Sequence, residues 1–131
     1  MEAKLSSARE AAFSALMSCE KQGAWSDQAI RSAARKWALS ARDAALASNL
    51  CYGVVQNQLL LDFWINAFST TPAIKLNPEV RISLRMGLYQ LHFLDRIPAS
   101  AAVNESVGLV RKYTRNKGAA GLTNAVLRSF Q

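Results

Sequence analysis

Apolar residues recur along this chain at three- and four-residue steps almost from end to end, and polar punctuation divides them into about seven helices. Ala12, Leu16 and Cys19 keep helical spacing beside Phe13 and Met17. Ser7-Ala8-Arg9-Glu10 ahead of them reads as a capping box, and Gly23 behind them as a stop. Ser26-Asp27 starts a second helix to about Leu39, with Ile30, Ala34 and Trp37 on one side. From Ser40-Ala41-Arg42-Asp43 a long helical stretch reaches about Phe68. Leu46, Leu50 and Val54 form its first stripe, and Leu60, Trp64, Ala67 and Phe68 its second. The polar triplet Gln56-Asn57-Gln58 between them predicts two helices, or one strongly bent helix.

Asn77-Pro78-Glu79 is the next start signal: a capping residue, a proline at the first helical position and a first-turn acid. The helix it opens, to about Asp95, carries two apolar stripes. Val80, Leu84, Gly87, Leu91 and Leu94 form one; Ile82, Met86, Tyr89 and Phe93 form the other, roughly opposite on the helical wheel. Between them run polar strips, Arg81, Arg85, His92 and Asp95 on one side and Glu79, Ser83 and Gln90 on the other. A helix that is apolar on two faces must be flanked by helices on both, so two packed subdomains are expected to share it. Pro98 ends it, and Ser100 is the expected cap of a helix bearing Val103, Val107 and Val110. A last helix runs from Gly118 to Phe130, with Leu122, Val126 and Phe130 facing inward. The fold class expected is all-α, a single domain spanning residues 1–131.

Composition narrows the chemistry. With half of its 131 residues hydrophobic and 19% charged, the chain is globular and large enough for a core. Its apolar runs are too short to span a bilayer, and Met1-Glu2-Ala3-Lys4 lacks the pattern of a signal peptide, so a cytoplasmic protein with no membrane partner is expected. His92 is the single histidine, which rules out a His-based metal cage or a serine triad built within this chain. Cys19 and Cys51 lie in helical patterns without CxxC spacing and read as apolar core thiols. No Gly-rich phosphate loop occurs. The expectation is a chain without an active site, cofactor or metal of its own.

The formal charge of +7 is lopsided. Residues 1–66 hold seven Lys and Arg against six Asp and Glu, whereas residues 67–131 hold nine against three. The sharpest local feature is Arg111-Lys112-Tyr113-Thr114-Arg115-Asn116-Lys117-Gly118, four cations, an aromatic ring and a glycine between two helices. Such a segment can neutralise phosphates, offer an anion the N–H groups of a helix start, and stack Tyr113 on an unpaired base. Basic residues that merely complement a helix C-terminus are the alternative, at about 0.3–1 kcal/mol. Arg128 joins the candidates, as do Lys4 and Arg9 if the first and last helices are neighbours. Arg81 and Arg85 suit structural ion pairs equally well, and Asn104 and Glu105 suit the dipole at their helix start.

Several of these segments, in order, resemble one family. Lys75-Leu76-Asn77-Pro78-Glu79-Val80-Arg81 and Leu84-Arg85-Met86-Gly87-Leu88-Tyr89-Gln90-Leu91 are similar to the central-helix signature of the NusB superfamily. The resemblance continues through Asp95-Arg96-Ile97-Pro98, Ala101-Ala102-Val103-Asn104-Glu105-Ser106-Val107, Lys117-Gly118-Ala119-Ala120-Gly121 and Asn124-Ala125-Val126-Leu127-Arg128, with Leu50-Cys51-Tyr52-Gly53-Val54-Val55 earlier. It implies a NusB-like orthogonal bundle. The Lys-Leu-Asn-Pro and Gly-Leu-Tyr-Gln-Leu wording is closest to the N-terminal domain of RsmB-type (Sun/Fmu) ribosomal RNA cytosine-5 methyltransferases. There the domain precedes a catalytic domain that uses S-adenosylmethionine and a cysteine nucleophile, to which Cys19 and Cys51 do not correspond. The chain departs from the family at Ser100, usually His, and at the arginine-poor start Ser6-Ser7-Ala8-Arg9.

The resemblance thus implies a domain that recruits ribosomal RNA and docks on its own C-terminal catalytic domain. A free-standing antitermination factor binding box A-like RNA with a ribosomal protein is the alternative. A protein-interaction domain without RNA contact is a third.

Overall fold

The computed structural model describes residues 5–131, which form seven α-helices and one short 3₁₀ turn. The helices are α1 (Ser7–Gln22), α2 (Ser26–Lys36), α3 (Ala41–Gln56), α4 (Gln58–Phe68), α5 (Pro78–Phe93), α6 (Ala99–Tyr113) and α7 (Lys117–Phe130), with the turn at Ala73–Lys75. α1, α2 and α3 pack on one another, as do α6 and α7, and α5 touches both groups together with α4. The two-stripe reading of α5 therefore holds. Its burial goes further than two stripes, because residues 82–90 are buried without a break. Two polar members of that run are satisfied internally: Arg85 forks onto Asp62 with Nε–Oδ1 and Nη2–Oδ2 distances of 2.7 and 2.8 Å, and Gln90 Nε2 donates to the Met86 carbonyl at 2.9 Å, whereas the buried Ser83 hydroxyl has no hydrogen-bond partner among the described residues.

Helix ends differ in detail from the sequence reading. The cap of α1 is Ser6, whose Oγ accepts the Arg9 N–H at 3.2 Å. Ser7 is thereby inside the helix, and Glu10 falls one residue too late to reach back as a capping-box partner. A carboxylate from the far end of the chain takes that role: the Ser6 N–H donates to Glu105 Oε1 at 2.7 Å. Asn77 and Ser100 make no side-chain cap; α5 starts on Pro78, and α6 starts at Ala99 directly after Pro98. α2 stops at Lys36, three residues early, where Ala38 turns into the left-handed region at φ 49°.

The break between α3 and α4 falls at Asn57, whose side chain donates to the Gly53 carbonyl at 2.8 Å. The inward residues of α4 are Leu61 and Ile65, one position on from the expected stripe. Trp64 and Phe68 pack instead at the rim, on Phe130 of α7, which is only partly buried; Trp64 also lies against His92. In α7 the fully inward positions are Ala119, Thr123, Val126 and Leu127. Among the described residues no helix is long and apolar enough to cross a membrane.

Candidate nucleic-acid interface

The basic segment 111–118 ends α6, makes a three-residue turn and starts α7. α6 stops because Thr114 leaves the helix in an extended conformation, and α7 restarts because Asn116 caps it, its Oδ1 accepting the Gly118 N–H at 3.0 Å. The Ala119 N–H is taken by the Asn116 carbonyl at 3.2 Å. These two donors of the α7 start are thus satisfied within the chain, which weakens the anion-binding reading of that terminus.

The cations of the segment divide sharply. Arg111, Arg115 and Lys117 are exposed, and among the described residues none of them pairs with a carboxylate. Lys112 instead reaches to α1, its Nζ 2.7 Å from Glu10 Oε2, although half of its side chain stays in solvent. Tyr113 donates its hydroxyl to the same Glu10 oxygen at 2.5 Å and stacks its ring on Phe13, with centroids 4.9 Å apart. Burial, then the hydrogen bond and the charge of Glu10, push the Tyr113 hydroxyl up to about 12. Tyr113 is therefore a clasp between α6 and α1 rather than a free stacking platform.

The remaining candidates disperse. Arg9 is buried. Its Nε donates to Gln90 Oε1 at 2.7 Å, Nη1 donates to Ser6 Oγ at 3.3 Å, and the same Nη1 pairs with Glu105. An RNA contact for Arg9 is corrected to a structural one, and Glu105 holds this pair rather than the α6 dipole alone. Arg128 is exposed and bonds Asn124 at 3.0 Å, but it lies eleven residues from Lys117 along α7, about 16 Å away. It is not part of the turn cluster. Lys4 lies outside the described residues. Arg81 and Arg85 are ion-paired, with Glu20 and Asp62.

Two features went unread in the sequence. The partners of Arg9, Gln90 and Glu105, stand 81 and 96 residues away, so no local spacing announces them. The exposed face of α2 carries Trp25, Arg31 and Arg35, which no apolar stripe singles out. The thiols offer no nucleophile. Burial raises Cys19, and burial followed by the nearby Cys19 and Asp27 raises Cys51 to about 12, so both stay protonated at neutral pH.

Fold and rim together define an all-helical domain of two helical groups around a shared central helix, with a cationic turn between its last two helices. The chain belongs to the NusB family, which it matches over residues 6–131. It is 40% identical over 125 residues to the probable ribosomal RNA small subunit methyltransferase B of Synechocystis sp., covering 95% of this chain and 28% of that protein. The protein of the same name from Bacillus subtilis is 37% identical over 128 residues, covering 98% of this chain and again 28% of the relative. This chain thus spans little more than a quarter of the relatives it matches. Among solved structures, the NusB of T. maritima superposes with a TM-score of 0.86 at 20% identity, over 98% of this chain and 91% of that one. A complex of antitermination factors NusB and NusE with double-stranded RNA superposes at 0.85 and 22% identity, over 94% and 92%.

Proposed function

We propose that this chain is the RNA-binding domain of a ribosomal RNA cytosine-5 methyltransferase, presenting the substrate to a catalytic domain elsewhere in the protein. The observation that carries the reading is the α6–α7 turn. Arg111, Arg115 and Lys117 are exposed and pair with no carboxylate among the described residues, on a chain of net charge +7. Unpaired cations on a short turn draw in a phosphate backbone and release its counterions. The kinship with ribosomal RNA small subunit methyltransferases supports the substrate class. In this reading, methyl transfer from S-adenosylmethionine falls to a catalytic domain outside this chain. Leu59 and Phe63, four residues apart on α4 and 87% and 66% exposed, offer an apolar face suited to docking on that domain.

The test is a titration of a ribosomal RNA fragment at rising salt. Affinity should fall steeply with salt, and Arg115→Ala with Lys117→Ala should flatten the log–log slope by about 1.5 without altering the melting temperature. Salt-independent binding, or equal loss of stability and affinity, overturns the reading and leaves a protein-interaction domain. The likeness to the NusB–NusE–RNA complex favours a second reading, a free-standing antitermination factor with a ribosomal-protein partner. A reading frame that continues past Gln131 into a methyltransferase domain decides for the first. A stop codon there, with ribosomal-protein binding, decides for the second.

A further inference from the structure

The outer face of α2 carries a row of side chains that the packing of the helix does not use. Ala29, Ile30 and Ala33 turn inward. Gln28, Arg31 and Arg35 lie on the opposite side at three- and four-residue steps, with Trp25 just ahead of the first turn, and all four are exposed. Trp25 is 81% exposed, and among the described residues no aromatic ring packs on it. Together with Asp27 the row lines an open groove of 540 Å³. Arg31 uses only Nε internally, donating to the Asp27 carbonyl at 3.3 Å, and Arg35 pairs with no carboxylate among the described residues. Asp27 is the one acid on the groove, and it lies close enough to Tyr52 of α3 to raise that hydroxyl's pKa.

We infer that this face is a second RNA contact, in which Trp25 stacks on an unpaired base while Arg31 and Arg35 hold the phosphates beside it. An indole left in water is a poor surface for a lone domain but a good platform for a base, since every base has a π-face. Guanidiniums grip phosphate through two donors at once, and the Gln28 amide can both donate to and accept from a base edge. The row is about 15 Å long. It also runs in a useful direction. A three-residue turn, residues 23–25, joins α1 to α2, and the two helices pack on each other. Arg35 thus comes back level with the half of α1 that carries Glu10 and Phe13, which hold Lys112 and Tyr113. A single strand lying on α2 leads toward the same end of the molecule as the α6–α7 turn.

This inference rests on the RNA-binding reading, and one experiment separates the two. Binding is measured by anisotropy for a blunt RNA hairpin and for the same hairpin with a single-stranded extension. The proteins are the parent, Trp25→Ala, Arg31→Ala with Arg35→Ala, and Arg115→Ala with Lys117→Ala. Trp25→Ala and the α2 arginine pair should each lose roughly tenfold in affinity for the extended hairpin and none for the blunt one. Binding of the extended hairpin should quench fluorescence in the parent but not in Trp25→Phe, and all variants should melt with the parent. Unchanged affinity in the α2 variants, with loss confined to the turn variant, overturns the inference while the RNA reading stands. Binding of poly-glutamate as tight as that of the extended hairpin, lost in the same α2 variants, overturns it in favour of an acidic protein. Binding of neither RNA by the parent overturns both.

Discussion

Arg9 offers the clearest separation of a structural cation from a functional one. Replacing it with Met keeps an apolar stem of similar length and removes the guanidinium. Gln90 Oε1, Ser6 Oγ and Glu105 Oε2 then lose the guanidinium together; Ser6 Oγ keeps the backbone N–H of residue 9, and Glu105 keeps only the Ser6 N–H. Breaking a buried pair by removing one partner costs about 3–5 kcal/mol. The Arg9 and Glu105 side chains are 9% and 12% exposed, so water can partly rehydrate the orphaned carboxylate and the low end applies, about 3 kcal/mol. For a chain of this size that is a drop of roughly 12 °C in melting temperature. Removing the orphan as well, in Arg9→Met with Glu105→Gln, should restore about 1–2 kcal/mol, because the two positions are coupled. RNA affinity, measured below both melting points, should stay within about twofold of the parent. The reasoning fails if Arg9→Met melts within about 2 °C of the parent and binds RNA tenfold more weakly. That result would put the guanidinium on the surface.

Three further outcomes follow from the packing and the clasp. Leu84→Ala and Met86→Ala, both fully buried on different faces of α5, should each cost about 2–5 kcal/mol in denaturant unfolding. A loss below about 1 kcal/mol for either contradicts the sandwich. Gly53→Ala should destabilise α3 against α5, since a Cβ at Gly53 would lie 2.0 Å from Tyr89 Cζ and displace the ring from its 2.5 Å bond to Asn49. Overpacking of about 1–3 kcal/mol together with the lost hydrogen bond exceeds the ~1 kcal/mol gained in helix propensity, and thermal melting reads the balance. Tyr113 has a folded pKa of about 12, above the ordinary tyrosine value, so its contribution is complete below pH ~10 and fades as pH rises toward 12. An ultraviolet titration should show one of the three tyrosine steps near pH 12, missing in Tyr113→Phe, and a missing step near pH ~10 instead would refute the clasp.

Much of this architecture was legible along the chain because helices are local. Periodicity located the helices, leaving open only whether α3 and α4 are two or one bent helix, and the two stripes of α5 announced a helix flanked on both sides before any neighbour was known. Phase was harder: the α4 stripe slipped by one residue because Trp64 and Phe68, the bulkiest apolar residues there, pack at the rim on Phe130 rather than in the core. The cationic turn was also visible as a run of charge, and Arg111, Arg115 and Lys117 are exposed in it. Membership of the NusB family likewise rests on residue patterns that the chain carries in order.

Which cations remain available was a question for tertiary structure alone. Arg9 and Arg115 are the same residue type, yet one meets Glu105 and Gln90 across the fold and the other is exposed. Lys112 and Tyr113 belong to the basic run in sequence but are drawn to Glu10, a carboxylate about a hundred positions away. The chain order fixes where a charge sits on its helix; only packing decides what faces it. Electrostatic partnership acts through a few ångströms of space, and sequence separation carries no record of that distance.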